Sequence, residues 1–230
     1  GGKVDLLAGS GGTNGWSAGS DNDLSLTNVT VNATGAVTAK GDVATVKASV
    51  INAGGDVDIT ANGITVSKES GTSSIEGAGV NLDAVTGVSV SDTSITATTK
   101  GITVNAASAT DDLTMTNAVL TAQNTTNGKI AISSAKAIGA TGGSMTAGKD
   151  ITLTAASGIT SSSNMTAGGD VELTSETEGV SNTGAISVGG SVSLAADAGD
   201  ISSTGNITAT SGNININNDA GNGAISVTGT

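Results

Sequence analysis

The chain predicts an all-β fold: a parallel β-helix, or β-solenoid, with about three short strands in each coil of roughly 20 residues. Three observations lead there. First, a unit recurs: Met145-Thr-Ala-Gly-Lys-Asp-Ile-Thr-Leu-Thr-Ala returns as Met165-Thr-Ala-Gly-Gly-Asp-Val-Glu-Leu-Thr-Ser, 20 residues later. Second, apolar residues alternate with polar ones inside the unit. Ile151 and Leu153 therefore share one side of a strand and Thr152 and Thr154 the other, while Gly148-Lys149-Asp150 supplies a corner. Third, the chain has no Phe, Tyr, Cys, Pro, His or Arg and a single Trp. A narrow coil lined with stacked Val, Ile, Leu and Ala needs no large side chains, whereas a thick globular core does. Disorder is the competing reading of so simple a composition, but the regular apolar pairs and a mean hydropathy above zero speak against it.

In chain order, Val4-Asp-Leu6-Leu is half a unit, residues 9–20 form a Gly/Ser/Asn loop, and Leu24-Ser-Leu26-Thr resumes the pattern. Val37-Thr-Ala-Lys-Gly-Asp-Val43 reads as a copy, yet it begins only 14 residues before the copy at Ile51, too few for a three-strand coil. The register across residues 37–57 is therefore left open. Ile51-Asn-Ala-Gly-Gly-Asp-Val57-Asp-Ile59-Thr-Ala matches closely, and units at Ile75–Leu82 and Ile95–Val104 follow with shifted turns. Val119–Ile132 carries an insertion, residues 123–127, that predicts a longer loop. Thereafter the anchor falls at Ile151, Val171, Val192 and Ile214, in steps of 20, 21 and 22. Two further apolar pieces lie between successive anchors, such as Ile159 and Met165, which makes three strands per coil. The whole of 1–230 is expected to be one rod of about ten coils, about 50 Å long at one strand spacing per coil. Both ends lie in mid-pattern, so a slice of a longer rod, or rods packed end to end, is expected.

The G-D-[IV]-x-L-T-A unit, with [IM]-T-A-G before it and G-I-T-S after it, resembles the repeats of filamentous haemagglutinin-like exoproteins, the secreted partners of bacterial two-partner secretion. The resemblance is strongest over Met145–Ile216 and Ile51–Ala61 and implies a right-handed parallel β-helix, a handedness that crossover sterics also favour. It further implies a secreted or cell-surface shaft used in adhesion or biofilm formation and virulence, exported by an outer-membrane two-partner transporter. The family's secretion domain has no counterpart in these residues.

Candidate sites are few. The carboxylate pairs Asp56/Asp58, Asp111/Asp112 and Glu176/Glu178 raise glycoside cleavage, but neighbouring acids are commonplace in a chain with 20 of them, and a lyase or hydrolase would want Arg, His and aromatic platforms. No enzyme activity and no cofactor are expected. Asp42, Asp56, Asp150 and Asp170 read as one slot of the repeat, and stacked oxygens of this kind raise calcium binding. Ser191 and Asn213 take the slot later, and a turn Asp ordinarily caps its own backbone, so no metal is expected. Thr152 and Thr154 raise an ordered threonine array of the kind that binds ice, but the equivalent pairs Glu172/Thr174, Ser193/Ala195 and Asn215/Asn217 break it. Sequons at Asn28, Asn32, Asn124, Asn164 and Asn206 are candidate glycosylation sites. Trp16 is a candidate contact for a sugar or partner, although covering an exposed coil is the commoner use of such a residue. A host receptor or glycan is then expected at loops 9–20 or 123–127, if anywhere. The net charge of −12 leaves no basic patch for nucleic acid.

Overall fold

A computed structural model describes residues 2–8, 22–68, 71–219 and 223–229. Those residues form 27 strands and no helix, and every strand pairing is parallel. The strands make three faces of a parallel β-solenoid. The first face stacks Val4–Leu7 under the starts of the long strands Val37–Lys47 and Val57–Ser67, then Val80–Ala84, Ile102–Ala106, Ile130–Ser134, Ile151–Ala155, Val171–Ser175, Val192–Ala196 and Ile214–Asn218. The second face runs from Leu24–Thr27 to Ile225–Val227 and takes in the second halves of the two long strands. The third runs from Thr30–Ala33 to Ile207–Ala209. Nine full turns result, with a tenth begun, close to the ten expected.

The period varies because loops absorb it. Residues paired at the start of the first face are Val37, Val57, Val80, Ile102, Ile130, Ile151, Val171, Val192 and Ile214, giving steps of 20, 23, 22, 28, 21, 20, 21 and 22. The longest step holds the expected insertion, where Asn124 Oδ1 accepts from Thr126 N and Asn127 N at 2.8 Å and so closes an Asx turn. Inside the strands the register never slips.

The interior is a continuous apolar stack. Val37, Val57, Ile102, Ile130, Ile151, Val171 and Val192 are at most 1% exposed, with Ile59, Leu82, Val104, Ile132, Leu153, Leu173 and Leu194 stacked beside them. Burying a Val, Leu or Ile side chain is worth about 1.5–3 kcal/mol, and each coil contributes several. The stack is not purely apolar, however, and polar side chains join the expected lining of Val, Ile, Leu and Ala. Ser161, Asn182 and Ser203 are stacked in register on the inner side of the second face and are no more than 1% exposed. Asn182 Nδ2 donates to Gly184 O at 2.7 Å, which satisfies a corner carbonyl.

The corner from second to third face exists in two forms. Where the chain takes seven residues from one inward anchor to the next, as from Leu113 to Leu120 or Ile138 to Met145, a left-handed residue makes the bend: Asn28 (φ 55°), Ala48 (48°), Asp92 (50°), Asn117 (50°) and Gly142 (65°). A small residue then tucks in. Ser49 Oγ lies 2.8 Å from Lys47 O and 3.1 Å from Leu26 O, and Thr93 Oγ1 donates to Ser91 O at 2.8 Å. Where six residues suffice, as from Ile159 to Met165, no left-handed residue is used.

The open register is resolved. Val37 pairs with Val57, and Ile51 pairs with Val31, so Val31-Asn-Ala33 is the unit that precedes Ile51. Val37–Lys47 runs straight through from first to second face, which is why 14 residues separate two apolar starts that belong to different slots.

Candidate interaction surface

Outward positions distinguish the faces. On the second face two columns point to solvent. One runs Ser25, Thr45, Thr65, Ser89, Thr114, Gly139, Thr160, Ser181, Ser202, Ser226. The other runs Thr27, Lys47, Ser67, Ser91, Thr116, Thr141 and continues at the strand ends through Ser162, Thr183, Thr204 and Thr228. Of these 20 positions 18 are Ser or Thr, and Lys47 is the single charge. Stacked at about 4.8 Å along the axis and two residues apart along the strand, the hydroxyls form a two-column lattice. The first face offers no such order: its outward residues include Asp5, Lys40, Asp58, Asp83 and Glu172, and only 8 of its 20 are Ser or Thr.

Sequence reasoning tested the threonine array on the first face, at Thr152 and Thr154, and rejected it there; the residues confirm that irregularity. It missed the second face. The signal was present as [ST]-x-[ST] in eight of the ten second-face segments, as in Thr65-Val-Ser67, Ser89-Val-Ser91 and Thr114-Met-Thr116.

Along one edge of the lattice lie two grooves that share Asp112 and Thr114. The larger, about 440 Å³, has Thr65, Ser89 and Thr114 on its floor and Asp111 and Asp112 on its rim. The smaller, about 230 Å³, continues over Gly139 and Thr160 with Asp112 and Glu178 beside it. Lys136 Nζ sits 3.1 Å from Asp112 Oδ1 and 3.0 Å from Thr110 O, which props the loop that carries Asp111 and Asp112. A Cβ built on Gly139 would meet nothing within 4 Å, so the gap in the hydroxyl column is open space.

The acidic slot resolves into a different device. Asp56, Asp150 and Asp170 do share a corner, the one before the first face, with Ser191 and Asn213 above them. Asp42 does not: it sits at the bend between first and second faces, where Asn62 Nδ2 donates to its Oδ1. Three of the shared corner residues bond to the next coil, not to their own turn. Asp150 Oδ1 accepts from Asp170 N at 3.1 Å, Asp170 Oδ1 from Ser191 N at 2.6 Å, and Ser191 Oγ from Asn213 N at 3.1 Å. Burial opposes ionisation of Asp150. The bond from the Lys129 ammonium at 2.9 Å, the Asp170 N–H and the charges of Lys129 and Lys149 outweigh it and hold the carboxyl below its ordinary value. Asp56 pairs with Lys100 at 2.6 Å. Among the described residues no group of three or more potential ligands lies close enough to hold a metal. Of the three carboxylate pairs, Asp56 and Asp58 lie on a different part of the rod from the other two. Asp112 and Glu178, from different pairs, are the two that flank one groove.

The five sequons collect on the third face and its borders. Asn32 is outward there and accepts from Asn52 Nδ2 at 2.9 Å, and Asn164 accepts from Ala185 N at 3.1 Å. Asn206 continues the Asn164 column two coils on, Asn28 makes a left-handed corner, and Asn124 closes the 123–127 loop. Trp16 and loop 9–20 lie outside the described residues. No family model matches the chain, and no curated protein or solved structure matches it significantly.

Proposed function

We propose that the chain is a structural shaft segment of a secreted or cell-surface bacterial filamentous adhesin of the haemagglutinin-like type, supplying reach and stiffness for adhesion or biofilm formation. The observation that carries this reading is the unbroken interior stack from Val37 to Val192 with its three parallel ladders. Bending such a rod would open rows of hydrogen bonds on one side and overpack side chains on the other, and both cost free energy. An exporter of the two-partner kind suits a Cys-free chain that completes its core coil by coil.

The chain's lack of Cys makes a direct test simple. Cysteines introduced at Asp5 and Asn215 lie in one outward column nine coils apart, so spin labels there should give one narrow distance near 43 Å at about 4.8 Å per coil. A broad distribution would remove stiffness and with it the shaft reading. Saturable attachment of the folded chain to host cells, abolished by replacing 123–127 with a short turn, would place the function in that loop.

A further inference from the structure

We propose that the second face binds a linear, neutral, hydroxyl-rich polysaccharide laid along the rod axis in the groove whose floor is Thr65, Ser89, Thr114 and Thr160 and whose rim is Asp112 and Glu178. The argument rests on three independent features. The floor places hydroxyls at the coil spacing of about 4.8 Å, at Thr65, Ser89, Thr114 and Thr160 with one gap at Gly139, close to the advance per sugar of an extended pyranose chain. In an extended 1,4-linked chain, where neighbouring sugars face opposite ways, every second sugar therefore meets every second coil in nearly the same way. Each hydroxyl both donates and accepts, as sugar hydroxyls do, and the rim carboxylates add acceptors for the ligand's O–H groups. The charge is matched as well: the two hydroxyl columns carry no carboxylate on a chain of net charge −12. A neutral chain can lie there, while an anionic one would face Asp111, Asp112 and Glu178.

The Asp112 and Glu178 carboxylates beside the column, and its break at Gly139, favour this ligand over an ice surface, which needs a flat and regular array. No aromatic platform is available among the floor residues, so each sugar is held weakly and affinity accumulates by repetition, as linked weak contacts do. Binding should therefore rise steeply with polymer length, and short oligosaccharides should compete poorly.

Gly139 gives the decisive variant. Because a Cβ there meets no neighbour, Gly139→Ile raises a branched apolar side chain from the groove floor without disturbing the core. The folded full chain would be run through native gels containing hydroxyethyl cellulose, laminarin, galactomannan or polygalacturonate. Retardation by at least one neutral polymer and none by polygalacturonate is expected. Gly139→Ile should weaken that retardation about tenfold, the scale of losing one or two hydrogen bonds. Gly139→Thr, which completes the column, should bind at least as well as the wild type. Thr146→Ile on the third face, with circular dichroism matched to wild type, should change nothing. Unaltered mobility in every neutral gel overturns the proposal, as does retardation by polygalacturonate alone, or a Gly139→Ile variant that binds like the wild type. None of these outcomes bears on the label distance that tests stiffness.

Discussion

The first and second faces are the same on the inside and different on the outside. Both turn alternate, mostly apolar residues inward, with Ser161, Asn182 and Ser203 as polar members of the second, and both pair in unbroken parallel register. Outside, the first face mixes Asp, Lys, Glu, Asn, Ala, Leu and Thr, whereas the second repeats Ser and Thr with one Lys and one Gly. The high strand propensity of Thr applies to both faces equally and cannot produce the difference. Folding constrains the inward residues and leaves outward ones nearly free, since surface substitutions usually shift stability by no more than about 0.5 kcal/mol. The uniform side is therefore the one that requires a reason beyond the fold.

The largest effect should come from breaking what the faces share. Ile151→Asp on the first face and Ile159→Asp on the second each place a carboxylate in the common stack, where both residues are at most 1% exposed. Each should cost several kcal/mol and lower the thermal midpoint by similar amounts. Thr152→Asp, one residue away but outward, should shift it little. A mild Ile159→Asp beside a severe Ile151→Asp would mean that the second face does not belong to the same core.

Two glycines of one coil sharpen the contrast between a face and its corner. Gly143 follows the second face at φ 65°, and a Cβ on it would lie 2.1 Å from Ala118 O. Gly143→Ala should therefore cost at least about 1 kcal/mol in urea unfolding. Gly139 sits in the face itself with open space over it, so Gly139→Ala should stabilise by about 0.5–1 kcal/mol through the lower entropy of the unfolded chain. Loss of stability there would show that the strand needs its glycine.

Much of the architecture was legible because the interior writes itself into the sequence at period two and again at period twenty or so. Ile151/Leu153, Ile159 and Met165 specified three strands and their inward sides, and 123–127 declared itself by length. The stretch around Val37 misled because no turn interrupts Val37–Lys47: Gly41-Asp42 looks like the Gly-Asp corner before the first face but lies within a strand that crosses to the second. Ser161 and Asn182 were not legible as interior residues, since nothing local distinguishes a polar group that will bond a corner carbonyl from one facing water. The hydroxyl lattice escaped for a related reason. It is a property of the stack, and a column appears only once the register of separate coils is known.

The smallest predicted effect probes the corner that leads into the first face. Asp150 bonds Asp170 N with Oδ1 and Lys129 with Oδ2, so Asp150→Asn keeps an acceptor for the N–H and removes only the charge. The folded-state pKa lies below the ordinary 3.8. Ionised Asp150 therefore adds stability that is fully present above about pH 4 and is lost as the pH falls through the lowered folded value. With Lys129 largely exposed, that contribution should stay below about 1 kcal/mol. Urea midpoints of wild type and Asp150→Asn should differ slightly at pH 7 and converge in acid below pH 4. A difference that survives in acid would assign the effect to the bond with the next coil, making the corner a cap and not a charge pair. The equivalent contact at Ser191 Oγ, which carries no charge, would then be its equal.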